Sequence, residues 1–389
     1  MTSYCPKHRH SHGIMPSGVS HYMAMCPDTC YQDCVFAVGT TYGGLTKWEQ
    51  PTAHQGYHTA IIGNHSLEFI RNAAWAQVPF MLYVAPHAPH LPCTPAPWYT
   101  DAPVARGAPR DPAFNASAPD KHWIVAQQPP LSAWDITQID GVFRNRTRTL
   151  FSVDDLVHDT VGLLVTLGID NHTYVIFTSD HGFHLGHFRL GTAKRQWYDT
   201  DLRVPLLIRG PGLLAGGSMV PRLSSHVDIA PTILHMAGLA AEKGMDGASL
   251  LPLIESHEHG PWRTSVYVEY QAEGKVGYDW IGHMQSAPNN TFIAIRSIDD
   301  SGRNDAYAEF TKDRDDWSFD SPDFVEMYDV HVDPHQLTNL VRTAAPGKVI
   351  KLRQELHRML HCGAGVGNST CFQPAIPSPS AIPSSVGAS

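Results

Sequence analysis

The chain has 389 residues, with 28 Lys and Arg against 37 Asp and Glu and a formal net charge of -9 when its 24 His are counted neutral. That balance excludes the basic face a nucleic-acid partner needs, and no run of 18 apolar residues is present to cross a membrane. The length allows one large α/β core, alone or with a smaller companion, and histidine's titration near pH 6.5 would move the charge toward positive in an acidic compartment.

The opening residues "MTSYCPKHRHSHG" lack a signal peptide's apolar core. Six Asn-x-Ser/Thr sequons, at Asn64, Asn115, Asn145, Asn171, Asn289 and Asn368, nevertheless point to a glycosylated secretory protein. Cys26, Cys30 and Cys34 recur every fourth residue, which on a helix puts all three on one face. No fourth Cys or His follows at zinc-finger spacing, so disulfides or free thiols are expected, with the pairing of Cys5, Cys26, Cys30, Cys34 and Cys93 left open.

Further along, Phe80 to Val84 reads as a strand that runs into "APHAPHLPCTPAPWY", where prolines end it and leave His87 and His90 on a carboxyl-end loop. Ser152 to Leu167 reads as a helix: Ser152 with Asp155 resembles a capping box, and Val153, Leu156, Val157, Val161, Leu164 and Leu167 recur on one face. Tyr174 to Thr178 and Val204 to Ile208 are short buried strands. A helix starts near Asp228, tolerates Pro231 in its first turn and stops at Gly238; another covers Lys348 to Leu360. Between them "SVYVEY", "FIAIRS" and "FVEMYDV" suit a small antiparallel sheet. Cys362 and Cys371 flank a Gly-rich loop that a disulfide would close, and the last 18 residues lack the periodicity to pack. The organisation expected is an α/β domain over 1–260, a C-terminal α+β subdomain over 261–371 and a disordered tail over 372–389.

The chemistry concentrates after Thr178. Asp180 and His181 follow a strand's carboxyl end, the edge where open α/β sheets bind ligands, and a carboxylate oxygen with an imidazole nitrogen can reach one cation. The alternative is a loop Asp that accepts backbone N–H bonds beside a solvated His181. Lys194 lies on the loop returning to the next strand, where its ammonium can neutralise an anionic substrate. His184 and His187 are expected as partly exposed polar contacts.

The runs "TLFSVDDLVHDTVGLL", "FTSDHGFHLGHFRL", "KRQWYDTDLRVPLLIRGPG", "HVDIAPTILHMAGL", "MDGASLLPLI" and "EMYDVHVDPHQLTNL", with "APHAPHLPCTPAPWY" and "KHWIVAQQPP", resemble successive blocks of the sulfatase family. The resemblance is closest to its N-acetylglucosamine-6-sulfatase branch and extends from about Gly18 to Cys371. It implies an alkaline-phosphatase-like mixed sheet flanked by helices, and a lysosomal or extracellular hydrolase that removes 6-sulfate from N-acetylglucosamine in sulfated glycans of heparan- or keratan-sulfate type. It also implies that Asp180 and His181 bind calcium, that His90 contacts the ester near its leaving oxygen and that Lys194 binds the sulfate.

The family's nucleophile is a formylglycine made from the cysteine of a Cys-x-Pro-x-Arg motif, and no such motif occurs here. "CPKHR", Cys5 to Arg9, carries its Pro6 one place too early. The early aspartates that complete the family's calcium site are missing as well. The chain is therefore expected to be a truncated sulfatase without turnover of its own. Two other readings stay open: a non-catalytic sulfated-glycan binder, and a metal phosphodiesterase of the related superfamily.

Overall fold

The computed structural model describes residues 18–26, 29–42, 45–49, 52–213, 217–255 and 262–362. In chain order these form β1 (His21–Cys26), β2 (Val35–Tyr42), β3 (Leu45–Trp48), β4 (Thr52–Ala53), α1 (His58–Ala76), α2 (Trp123–Ala126) and α3 (Ala133–Thr166). There follow β5 (Val175–Thr178), β6 (His184–Leu185), β7 (Thr192–Ala193), α4 (Asp199–Leu202), β8 (Leu206–Arg209), α5 (Ile229–Met236) and α6 (Leu251–Glu255). The chain closes with β9 (Ser265–Tyr270), β10 (Gly277–Tyr278), β11 (Met284–Ser286), β12 (Thr291–Ile298), β13 (Asn304–Thr311), β14 (Phe324–Asp329) and α7 (Pro346–Leu360). Among the described residues no helix is long and apolar enough to cross a membrane.

The residues divide into two compact units: one holds the chain to Pro109 together with Ala133–Thr173, the other Arg110–Ser132 and everything from Tyr174 onward. In the first unit β2 pairs antiparallel with β1, β3 and β4. Helix α1 packs on α3 closely enough that a Cβ on Gly63 would lie 3.2 Å from Leu156 Cδ1. Cys30 and Cys34 form a disulfide, and Cys93 is a buried free thiol. Cys5 lies outside the described residues, as do Cys371, Asn368 and the tail; Cys362 is disulfide-bonded. Of the other sequons, Asn64 and Asn171 are exposed, while Asn115, Asn145 and Asn289 are half-buried.

Two expectations fail here for physical reasons. Phe80 to Val84 forms no strand and pairs with none of the described ones, and Met81 and Tyr83 stay exposed; an apolar run alone does not make a ladder, because backbone groups need partners. Ser152 is not a helix start. It lies buried inside the 34-residue α3, which begins at Ala133, since no proline interrupts the polar stretch between them.

In the second unit the four-stranded sheet runs β14-β13-β12-β9, antiparallel throughout. Both its faces are covered. Ile293, Ile295, Tyr307 and Met327 pack against Leu352, Leu356 and Met359 of α7, while Phe292, Ala294, Ala308, Phe310 and Tyr328 pack against Phe188, Leu190, Trp197 and Tyr198. The period-two alternation of strand side chains assigns the two sets to opposite faces. The segment 188–198, which carries Lys194, is thus seated on the sheet. β5 pairs with β8 alone among the described strands, antiparallel, with Ile176 opposite Ile208.

His122 stacks on Phe310 with ring centroids 4.2 Å apart and planes 6° from parallel. Burial pushes its pKa down to about 3. The folded value lies below the unfolded one near 6.5, so the unfolded state binds the extra proton between them. His122's contribution is fully present above pH ~6.5 and is lost as pH falls, by at most about 1.4 kcal/mol per pH unit. His122→Phe keeps the stacking and is expected to flatten the stability loss between pH 7 and 5. Parallel urea midpoints for wild type and variant across that range would refute the assignment.

Candidate functional site

Strand β5 ends at Thr178, whose Oγ1–H donates to Pro205 O at 2.9 Å beside β8. The chain then turns sharply: Ser179 Oγ–H donates to His181 O at 3.0 Å, and Asp180 Oδ1 accepts the His181 N–H at 3.1 Å. His226 Nε2 lies 2.8 Å from Ser179 O. Gly182 comes next, and a Cβ there would lie 2.1 Å from Thr200 O. Only glycine fits this close approach, which lets Gly182 N–H and Phe183 N–H donate to Asp201 O and Thr200 O at 2.8 and 2.9 Å.

The tautomer of His181 follows from its partners. Nδ1 is 2.7 Å from Gly182 O, a pure acceptor, so Nδ1 carries the proton and Nε2 of the neutral ring carries the lone pair. Burial, and secondarily the charge of Lys194, hold His181 below its ordinary pKa. Nε2 meets Lys194 Nζ at 2.5 Å and lies 3.2 Å from Asp180 Oδ2. A nitrogen and an oxygen lone pair therefore converge beside one cation, and here that cation is the lysine ammonium. The Asp180 side chain is 77% exposed, so the pair opens to solvent.

Calcium takes six to eight mainly oxygen ligands. Asp180 and His181 offer two side chains, one through nitrogen, and no third His, Cys, Asp or Glu joins them in a metal-binding group among the described residues. As they stand these residues do not fit a calcium ion, and the chemistry they support is anion binding.

His90 belongs to the first unit. It is exposed, with Nδ1 2.6 Å from Leu91 O, a pure acceptor, so Nδ1 carries a proton. Its ring centroid stands 5.0 Å from that of His87, and Tyr31 O–H donates to its carbonyl at 2.5 Å. The structure brings Asp180, His181 and Lys194 together within the second unit.

His184 and His187 are corrected: both are buried and bonded to carboxylates. His184 Nδ1 lies 2.9 Å from each oxygen of Asp201, both side chains being 1% exposed. His187 Nδ1 accepts the Leu185 N–H at 3.2 Å, so its Nε2–H donates to Asp111 Oδ2 at 3.0 Å. Asp111 and Asp201 were not singled out from the sequence. Their own loops, "GAPRDPAFN" and "QWYDTDL", carry no histidine, so nothing local marks which acid becomes buried beside one.

A carboxylate, a neutral imidazole and an ammonium are thus gathered at a strand end on an α/β scaffold. Among solved structures, a protein in complex with its substrate D-glucosamine-2-N,6-O-disulfate has this fold, with a TM-score of 0.68 and 22% identity over 89% of this chain and 76% of that one. A putative sulfatase from Bacteroides fragilis has a TM-score of 0.60 and 18% identity, over 83% and 61%. These likenesses establish the alkaline-phosphatase-like mixed α/β fold. Residues 13–239 match the family model described as Sulfatase, and the chain belongs to the sulfatase family.

The chain is 34% identical over 380 residues to N-acetylglucosamine-6-sulfatase of Bos taurus, covering 94% of this chain and 64% of that one. It is equally 34% identical to that of Homo sapiens over 378 residues, 93% and 65%. It thus spans just under two thirds of the length of these relatives.

Proposed function

We propose that the site serves hydrolysis of sulfuric esters, on the 6-sulfate of N-acetylglucosamine residues in sulfated glycans, in a lysosomal or extracellular setting. The observation that carries this is the Lys194 ammonium held on the neutral His181 Nε2 beside an exposed carboxylate, in a chain of the sulfatase family. Lys194 would donate charge-assisted bonds to sulfate oxygens, with His181 orienting it from behind. Asp180 repels sulfate unless a cation lies between them, which is the task of the calcium that the family resemblance implies and for which further oxygen ligands are needed. The family resemblance would give His90 the proton needed by the leaving alkoxide. The sequons and the Cys30–Cys34 disulfide suit an oxidising, secretory environment.

One observation favours a second reading, sulfated-glycan binding without hydrolysis: none of the seven cysteines stands in a Cys-x-Pro-x-Arg context. The test measures sulfate release and binding by the full chain with a 6-sulfated N-acetylglucosamine oligosaccharide and its unsulfated twin. Release that falls roughly 10- to 100-fold in Lys194→Ala, the scale of one lost charge-assisted bond, supports hydrolysis. Sulfate-dependent binding without release supports the second reading. No preference for the sulfated ligand overturns both.

A further inference from the structure

Lys194 ends a segment that a hairpin braces from one side. β10 and β11 pair antiparallel, and the turn between them reaches β7: Asp279 Oδ2 accepts the Thr192 N–H at 2.7 Å, and Trp280 Nε1–H donates to Thr192 Oγ1 at 2.9 Å. The approach is so tight that a Cβ on Gly191 would lie 1.8 Å from Asp279 Oδ2. Asp279 Oδ1 also accepts the N–H groups of Ile281 and His283, at 3.1 and 2.8 Å, which fixes the turn internally. On the far side of Lys194, Arg195 donates to Gln285 Oε1 of β11 at 2.7 Å and pairs with Glu273 at 2.7 Å. Polar bonds on both flanks of Lys194 therefore hold this hairpin to the site loop.

Those bonds leave the hairpin's aromatic surface unused. Trp280 is 50% exposed although its N–H is satisfied, and Tyr278, two residues earlier, is 57% exposed. Single exposed aromatics need no explanation. Two on one turn, with the indole pinned by its edge two residues before a sulfate-seeking ammonium, do.

We propose that Trp280 and Tyr278 form a second subsite, one that receives the pyranose ring adjoining the sulfated residue of a glycan chain. A pyranose presents an apolar face of C–H groups inside a polar rim, and an aromatic ring buries that face without demanding hydrogen bonds in return. Because the indole is already fixed, little side-chain entropy is lost on binding. Thr192, which holds the indole, precedes Lys194 by two residues just after β7, so one short piece of chain carries both the ring's anchor and the sulfate contact. This subsite rests on the sulfated-glycan reading and adds to it that the site reads a neighbouring sugar as well as the ester.

The full chain is titrated by calorimetry with N-acetylglucosamine 6-sulfate alone and with a tetrasaccharide ending in the same residue. Tyr278→Ala, which removes an exposed ring that makes none of the bonds bracing the site loop, is expected to weaken the tetrasaccharide about tenfold and leave the monosaccharide unchanged, which also serves as the control for folding. Tyr278→Phe, which keeps the ring, should keep most of the affinity for both. Equal weakening of both ligands, or of neither, overturns the subsite and leaves the sulfate reading standing. Failure of the wild-type chain to bind the monosaccharide removes the sulfate reading, and the subsite with it.

Discussion

Glu326→Ala is expected to cost the second unit about 3–5 kcal/mol, the scale for removing one partner from a buried charged network. Glu326 is fully buried on β14, opposite Ala308 of β13. Its carboxylate accepts the His122 N–H at 2.6 Å, Trp197 Nε1–H at 3.1 Å, Tyr198 O–H at 3.0 Å and Tyr328 O–H at 2.7 Å. Behind these donors lies Lys121, whose Nζ donates to Tyr328 Oη and Gln336 O at 2.6 Å each. Its ammonium also sits 4.1 to 4.4 Å from the ring centroids of Phe188, Tyr198 and Tyr328. Burial lowers the Lys121 pKa to about 8, and the Glu326 charge opposes that shift.

Alanine removes the acceptor for four donors and the nearby counter-charge of a buried ammonium in one step. Glu326→Gln should cost less, since an amide still accepts, yet it introduces N–H groups among donors and cannot be neutral. Trp197 and Tyr198 follow Lys194 by three and four residues, so the loss should loosen the site loop too. Urea unfolding followed by tryptophan fluorescence measures both variants, and an Ala variant with an unshifted midpoint would show that this network carries no stability.

The sheet beneath that network was legible in part. β9, β12 and β14 were visible as runs of β-branched and aromatic residues, and α7 begins within two residues of its expected start. β13 was not visible. Its "NDAYAEFT" does alternate, Ala306, Ala308 and Phe310 with Asp305, Glu309 and Thr311, but alanine and acidic residues are depleted in strands and give a weak signal. The strand at 175–178 and the acid, histidine and lysine around it were legible because a strand end is a local feature, although the strand is half-buried, with Phe177 exposed, rather than buried as its apolar run suggested. Phe80 to Val84 shows the limit of local reading, since a strand exists only if something pairs with it. The buried carboxylates lie beyond that limit. Glu326 meets His122 across 204 residues of sequence, and no window of residues carries information about a partner that distant.

Asp201 is the carboxylate whose loss should affect the candidate site most directly. Its two oxygens lie 2.9 Å from His184 Nδ1, Oδ2 also accepts the Gln196 N–H at 2.9 Å, and its side chain is 1% exposed. Its backbone carbonyl takes the Gly182 N–H. One residue thus ties three pieces of chain: the turn bearing Asp180 and His181, strand β6, and the segment that leaves Lys194. Asp201→Ala would strand a buried imidazole N–H and a backbone N–H without acceptors. Each such group costs about 1–3 kcal/mol when left unpaired in the interior, so a loss of roughly 2–6 kcal/mol is expected. Asp201→Asn keeps the shape and one acceptor oxygen and should lose about half as much. Because His181 orients Lys194, affinity for inorganic sulfate should fall with stability in the Ala variant and less in the Asn variant, and calorimetry at fixed ionic strength reads this without requiring turnover. Were Asp201→Ala to unfold at the wild-type urea concentration and bind sulfate as tightly, the brace would be superfluous, and the position of Lys194 would have to come from its own segment alone.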